Sequence, residues 1–247
     1  FVIPQNSNLQ TIGGSAFAYS TIKEIYFPAS LKELKEGWCC DIKQLTKIEI
    51  SPLNNHFLLK DNKCLLGKSD ENNDEFDILL FACRDIKEIS IPSNIKVIHS
   101  YAFSYCQNLT KVEIPPNSNL QTIGINAFSD SKIKEISIPS NIKTISSYAF
   151  HYCNNLMKVE FSPNSNLEKI GQCAFSFSKV KCISIQSKVS EIDMYAFLNC
   201  SNIQIIEISD GSQLKSNSFT FYYMRKDIII MCCSKINIIG YFQDHMI

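Results

Sequence analysis

Eleven cysteines and four histidines are the residues of this 247-residue chain best suited to chemistry, and their spacing argues against most of it. Cys39-Cys40 and Cys232-Cys233 are adjacent pairs, whereas zinc sites read as pairs separated by a few residues and matched by a second pair. The hydroxyls Ser90, Ser137 and Ser184 recur at a fixed interval, but no histidine is spaced to activate them. His56, His99, His151 and His245 fall elsewhere, and a serine without a base is a weak nucleophile. The run Asp70-Glu71-Asn72-Asn73-Asp74-Glu75 lacks the glycine and terminal glutamate of a calcium-binding EF-hand loop. The remaining Asp and Glu give no convergent acid–base pair. The expectation is no catalytic residue, no cofactor and no metal ligand.

What the polar residues do show is order. Two columns emerge when strand-like segments reading apolar-x-x-apolar-x-apolar are aligned on their central residues Ile25, Ile48, Ile89, Val112, Ile136, Val159, Ile183 and Ile206. The residue before the centre is Glu24, Lys47, Glu88, Lys111, Glu135, Lys158, Cys182 and Ile205. The residue after it is Tyr26, Glu49, Ser90, Glu113, Ser137, Glu160, Ser184 and Glu207. In a parallel ladder, carboxylates of the first column would alternate with lysines. Such an order serves either to keep stacked charges from repelling or to form a polar recognition surface. These sixteen positions are the candidate binding face.

The segments themselves are repeats. Ile91-Pro92-Ser93-Asn94-Ile95-Lys96-Val97-Ile98-His99-Ser100-Tyr101-Ala102-Phe103 returns 47 residues later as Ile138-Pro139-Ser140-Asn141-Ile142-Lys143-Thr144-Ile145-Ser146-Ser147-Tyr148-Ala149-Phe150. Steps between successive centres are 23, 41, 23, 24, 23, 24 and 23. A period in this range signals a solenoid. Period-2 alternation buries one side of each strand, and the Pro, Ser and Asn clusters that follow are turn signals. A coil of this length cannot bury its apolar face alone; stacked neighbours can. Eight coils at ~4.8 Å per strand predict a continuous ladder about 40 Å long.

That geometry places the cysteines. Cys106, Cys153 and Cys200 share one repeat position, two coils apart, about 10 Å at strand spacing and beyond the ~7 Å reach of a disulfide. Ser20, Ser131, Ser178 and Ile42 fill the same column, which reads as a small core position. In the coil of Leu34, Trp38 replaces the usual Ala and Cys39 the usual Phe, an exchange of volume between neighbours. Cys182 interrupts the charged column and reads as an exposed, reactive thiol or, the reading preferred here, a partly buried and inert one. His99 aligns with Ser146 at an expected exposed turn.

The recurring Ile-Pro…Ile-x-x-Ile-x-x-x-Ala-Phe-x-x-Cys-x-x-Leu, with Ala16-Phe17, Ala102-Phe103, Ala127-Phe128, Ala149-Phe150, Ala174-Phe175 and Ala196-Phe197 each four residues past an apolar anchor, resembles leucine-rich repeats of the BspA-like subclass over roughly residues 1–209. The resemblance implies a β-rich repeat solenoid with a parallel ladder on its concave face and short turns or single helical turns on the convex side. It also implies a non-enzymatic, cell-surface or secreted adhesin or antigen that binds a host or extracellular-matrix protein. An intracellular scaffold of the same fold stays open, because many unpaired cysteines fit a reducing compartment too.

Further expectations concern the rest of the chain. Residues 1–50 hold the first repeats and 86–209 the regular ones. The expanded step holds a strand-rich insertion over 51–85, read as a hairpin plus a third strand that leaves the ladder and packs on the convex side, or else projects as a binding arm. Residues 210–247 read as a cap, with a last strand at Asp227–Cys232. Lys plus Arg and Asp plus Glu are 24 each, so net charge is zero, and no basic patch marks a nucleic-acid partner. The longest late apolar run, Ile228–Cys233, is too short to span a bilayer. The start at Phe1 inside a strand pattern reads as part of a longer array. The sequons at Asn108 and Asn199 overlap a column expected to be buried.

Overall fold

The computed structural model describes residues 3–72, 74–212 and 214, with the backbone of 229–232. The N-terminal coils contribute β1 (Thr11–Ile12), β2 (Glu24–Phe27), β3 (Glu33–Leu34) and β4 (Lys47–Ile50). The insertion contributes β5 (Leu58–Lys60), β6 (Cys64–Gly67) and β7 (Ile78–Ala82). The regular array holds β8 (Glu88–Ser90), β9 (Val97–Ile98), β10 (Lys111–Glu113), β11 (Thr122–Ile123), β12 (Glu135–Ile138), β13 (Thr144–Ile145), β14 (Lys158–Phe161), β15 (Lys169–Ile170), β16 (Cys182–Ile185), β17 (Glu191–Ile192) and β18 (Ile205–Ile208). A further strand, β19 (Ile229–Cys232), follows. The described residues contain no helix, so the convex turns are turns only.

The longer strands β2, β4 and β8 through β18 (even numbers) are the ones read from the sequence. The two-residue strands β1, β3, β9, β11, β13, β15 and β17 were not anticipated. Each uses the apolar anchor that precedes the Ala-Phe pair, or Trp38-Cys39 in the coil of β3, and in the regular array they stack in parallel as β17-β15-β13-β11-β9. The remaining side of each coil is a chain of tight turns. Alternate amides bond within the coil, as Ala102 N–H to His99 O (3.2 Å) and Ser104 N–H to Tyr101 O (3.1 Å). The amides between them reach the next coil, as Phe103 N–H to Ala127 O (2.7 Å) and Tyr105 N–H to Ser129 O (2.8 Å). This zigzag forces two left-handed residues per coil, such as Tyr101 (φ 63) and Tyr105 (φ 58) or Tyr148 (φ 59) and Tyr152 (φ 55). Left-handed backbone disfavours residues with a Cβ; satisfying every second amide across coils offsets it.

Apolar residues fill two separate cores. In the regular array Phe103, Phe128, Phe150, Phe175 and Phe197 form one buried stack, with centroids 4.9 to 5.6 Å apart and planes within 6°. The N-terminal core instead surrounds Trp38, which meets Phe17 (6.4 Å), Phe27 (6.0 Å) and Phe81 (5.4 Å) at steep angles.

The insertion separates the two. The hairpin is present, β5 antiparallel to β6. The third strand corrects the expectation: β7 pairs with β6 on one side and runs parallel to β9 on the other, extending the short-strand ladder to eight strands. β6 and β7 are buried on both faces. Leu65, Leu80, Phe81 and Cys83 face the N-terminal core, whereas Cys64, Leu66, Leu79 and Ala82 face the regular one. The segment is therefore an internal partition, neither a convex decoration nor a projecting arm.

Two polar anchors hold this partition. The buried Arg84 donates from Nε to Ile42 O (2.9 Å) and from Nη1 to Ala102 O (2.9 Å), with its guanidinium 4.1 Å from the Phe81 ring centroid. It thus ties carbonyls of the two blocks together. Asp77, 1% exposed, accepts from the Ser69 amide (2.8 Å) and hydroxyl (2.6 Å) and from Lys96 Nζ (2.9 Å), fixing the polar loop to the ladder. Burial pushes this carboxyl up, but the bonds from Ser69 and Lys96 outweigh it and hold the group below the ordinary value of 3.8.

Candidate functional site

The two columns stand in register. Glu24 lies opposite Lys47, Glu88 opposite Lys111, Glu135 opposite Lys158 and Cys182 opposite Ile205; Tyr26 faces Glu49, Ser90 faces Glu113, Ser137 faces Glu160 and Ser184 faces Glu207. Tyr26, Ser184 and Ile205 are half-buried, and the other thirteen are exposed. Burial of the central apolar residues aims their neighbours outward by the period-2 rule.

The expected continuous ladder is broken. The strands pair as β2–β4, β8–β10, β12–β14 and β16–β18–β19. A step of 23 residues gives a paired neighbour, as from Ile89 to Val112, and a step of 24 gives a seam, as from Val112 to Ile136. Across the seams one long backbone bond remains, Lys134 N–H to Thr110 O (3.4 Å) and Lys181 N–H to Met157 O (3.3 Å). The 23/24 alternation was legible in the sequence as a signal of this break.

The charges also pair differently from expectation. Lys111 binds Glu113 (2.6 Å) and Lys158 binds Glu160 (2.7 Å), each on its own strand. Only Lys47 also reaches across, to Glu24 (3.4 Å) besides Glu49 (2.7 Å). Hydrogen bonding to Glu160 raises the Lys158 ammonium, and Lys158 lowers Glu160 in turn. Glu88, Glu135 and Glu207 make no ion pair among the described residues, so carboxylates remain for a partner. Cys182 is exposed, not partly buried, and lines a groove with β14 residues across the β14–β16 seam. Its thiol is nevertheless held above the ordinary value by desolvation and by Glu207.

Grooves among the described residues line this face. One of about 450 Å³ follows the β10–β12 seam beside Lys111, Glu113 and Glu135. Another of about 680 Å³ runs from Ile138 and Phe161 to Cys182 and Gln186. A third, about 610 Å³, lies between β8 and the hairpin turn Lys60–Lys63. Sequence reasoning missed these hairpin lysines as part of the face.

Away from the face, Cys106, Cys153 and Cys200 are buried as read. The Cys153 thiol donates to Phe128 O (3.0 Å) and the Cys200 thiol to Phe175 O (3.1 Å), with Ser131 and Ser178 beside them (3.5 and 3.4 Å). Burial pushes Cys153 up to about 12, which makes it an inert thiol. His99 is half-buried rather than exposed, and burial lowers its pKa. Asn108 and Asn199 are both exposed, though Leu109 and Cys200 beside them are buried. Among the described residues, no three His, Cys, Asp or Glu side chains are grouped to hold a metal ion, and no helix is long and apolar enough to cross a membrane. Most of the expected cap lies outside the described residues; β19 pairs in parallel with β18.

A family model for the BspA-type leucine-rich repeat region matches residues 1–59, 76–204 and 161–243, in six copies. The chain belongs to the BspA-type leucine-rich-repeat family. The match passes over residues 60–75, which hold the hairpin turn, β6 and the polar loop, and it extends past the segment in which the repeat was legible. No curated protein matches this family member. Among solved structures, the pneumococcal vaccine antigen PcpA superposes with a TM-score of 0.79 at 22% identity, over 94% of this chain and 56% of that one. A leucine-rich repeat protein from Eubacterium ventriosum gives 0.65 at 22% identity, over 94% and 62%. A leucine-rich cell surface protein from Faecalibacterium prausnitzii gives 0.57 at 19%, over 87% and 63%. At these identities the likeness establishes the fold, and the chain spans about three-fifths of the proteins it resembles.

Proposed function

We propose that this leucine-rich-repeat chain is a non-enzymatic protein-binding module, displayed at a cell surface or secreted, that engages a host or extracellular-matrix protein through the long-strand face. The observation that carries the reading is the face itself: columns in register, with Glu88, Glu135 and Glu207 outside any ion pair among the described residues, and with Glu88 and Glu135 lining grooves of several hundred cubic ångströms. Exposed charges that only kept one another from repelling would leave fewer carboxylates free. The surface setting is supported by the descriptions of PcpA as a vaccine antigen and of the Faecalibacterium protein as a cell surface protein. Rim charges of this kind set association rate and salt dependence more than affinity. The test is capture of matrix proteins by the purified chain at two salt concentrations. Salt-sensitive capture that is lost when Glu113, Glu160 and Glu207 become Gln supports the reading; capture indifferent to all three overturns it.

A second reading, an intracellular scaffold, is favoured by the nine free thiols among the described residues, since thiols persist in reducing compartments. Alkylation-based thiol counting on protein from its native source separates the two: all cysteines reduced supports the scaffold.

A further inference from the structure

At the seams β10 lies against β12 and β14 against β16, but the face also has one edge with no long strand packed beside it. Every central residue of the long strands is buried except Ile89, which is only partly so. The cause is the 41-residue step that precedes it. β4 pairs with β2 and lies against β5, so β8 has a hydrogen-bonded neighbour on one side only, β10. Lys87 O accepts from Thr110 N–H (2.9 Å) and Ile91 N–H donates to Glu113 O (2.8 Å). By strand alternation, the peptide groups of Glu88 and Ser90 therefore point away from β10, into the groove bounded by Lys60, Asp61 and Lys63. Ile86, Ile89 and Cys64 form its apolar floor. Proteins usually block such an edge with a proline, a bulge or a covering segment; here Pro92 lines the end of the groove and the hairpin turn flanks it, but no proline lies within Glu88–Ser90.

We propose that this edge is a docking slot for an extended polypeptide segment of the partner, which adds to β8 as a parallel strand of pattern cationic, apolar, anionic. The proposal deepens the protein-binding reading and rests on it. The array specifies the pattern. The one other strand reading Glu-Ile-Ser, β12 at Glu135-Ile136-Ser137, pairs with Lys158-Val159-Glu160 on one side and packs across a seam against Lys111-Val112-Glu113 on the other. β8 reads Glu-Ile-Ser but has such a neighbour on one side alone. Its Glu88 carboxylate makes no ion pair among the described residues and would face the incoming cation. The apolar residue would cover Ile89, and the backbone would satisfy Glu88 and Ser90. Main-chain bonds supply affinity and alternate side chains supply specificity in this mode of recognition.

The probe is a fluorescein-labelled peptide of the chain's own residues 45–50, Leu-Thr-Lys-Ile-Glu-Ile, titrated into the full chain by fluorescence anisotropy. Saturable binding is expected, weakened about tenfold by Ser90→Pro, which removes an outward amide, and similarly by Glu88→Lys. Proline is tolerated where an edge amide faces solvent, so thermal unfolding of Ser90→Pro should match the parent chain. No binding, or equal binding by both variants, overturns the slot. If a captured matrix protein survives Ser90→Pro but is lost on Glu160→Gln with Glu207→Gln, the slot falls and the protein-binding reading stands. If the peptide binds as expected while no protein is captured, the slot stands and that reading falls.

Discussion

The regular array and the N-terminal block solve one packing problem in opposite ways. In the array each coil supplies one Phe to a common stack with planes within 6°, and the coils are interchangeable. In the N-terminal block one indole, Trp38, fills the space and is met edge-on by Phe17 and Phe27 and at a tilt by Phe81. The partition of β6 and β7 lets both coexist, because a strand pair buried on both faces can present a different surface to each. Repetition gives a core whose stability is spread along nearest-neighbour contacts. A single large residue concentrates it.

The largest expected effect tests the stack. Phe150 lies in its middle and is fully buried. Phe150→Ala should cost about 3–5 kcal/mol, because rings on both sides lose a neighbour and backbone bonds between coils prevent collapse. Urea unfolding followed by circular dichroism measures it. A cost below about 1 kcal/mol would mean that the stack is not the array's principal support.

Next in size is the joint. Arg84→Met keeps much of the stem but leaves Ile42 O and Ala102 O without this donor. Buried carbonyls that lose a partner cost about 1–3 kcal/mol each, though Ala102 O keeps its bond from the Ala82 amide. The loss should therefore be about 2 kcal/mol, and the single unfolding transition should split. Hydrogen exchange would then show the N-terminal block opening at lower free energy than the array. One shared transition in the variant would show that the two cores are coupled through the partition alone.

Acid should loosen the partition before it loosens the array. The folded Asp77 carboxyl titrates below its ordinary value of 3.8, so the unfolded chain binds the proton first as pH falls. Its stabilisation is complete above that value and is lost as pH drops through the folded one. Asp77→Asn should cost about 1.5–3 kcal/mol at neutral pH and little at pH 2. An equal cost at both pH values would exclude the ionised carboxylate as the anchor.

The difference between the regions also explains what the sequence could reveal. The array was legible because periodicity is a statistical signal: Ala-Phe at one spacing, Cys or Ser at another, and charges on either side of a buried centre. The seams were latent in the 23/24 steps. The short-strand ladder was not legible, since two-residue strands such as Thr122–Ile123 carry no alternation of their own. Nor was the glycine at 124, where a Cβ would meet Ser100 N at 2.6 Å; the close approach belongs to the coil stacking, not to the local sequence. The partition was misread because β6 and β7 are apolar on both faces, and a continuous apolar run does not say what it separates. The open β8 edge follows from that same misreading, since its cause is the place the hairpin takes.

The smallest effect is the sharpest test of the N-terminal solution. Trp38 is fully buried, and its Nε1 has no hydrogen-bond partner among the described residues. Trp38→Phe would remove an orphaned donor, a gain of about 1–3 kcal/mol, and leave a cavity that costs a similar amount. Because the surrounding rings meet the indole at steep angles rather than in a rigid stack, Phe17, Phe27 and Phe81 have room to reorient into the vacated volume. The net change should lie within about 1 kcal/mol, far below that of Phe150→Ala. A cost of 3 kcal/mol or more would show that the indole's shape is irreplaceable, and that concentrating a core in one residue makes it as brittle as the repeated stack.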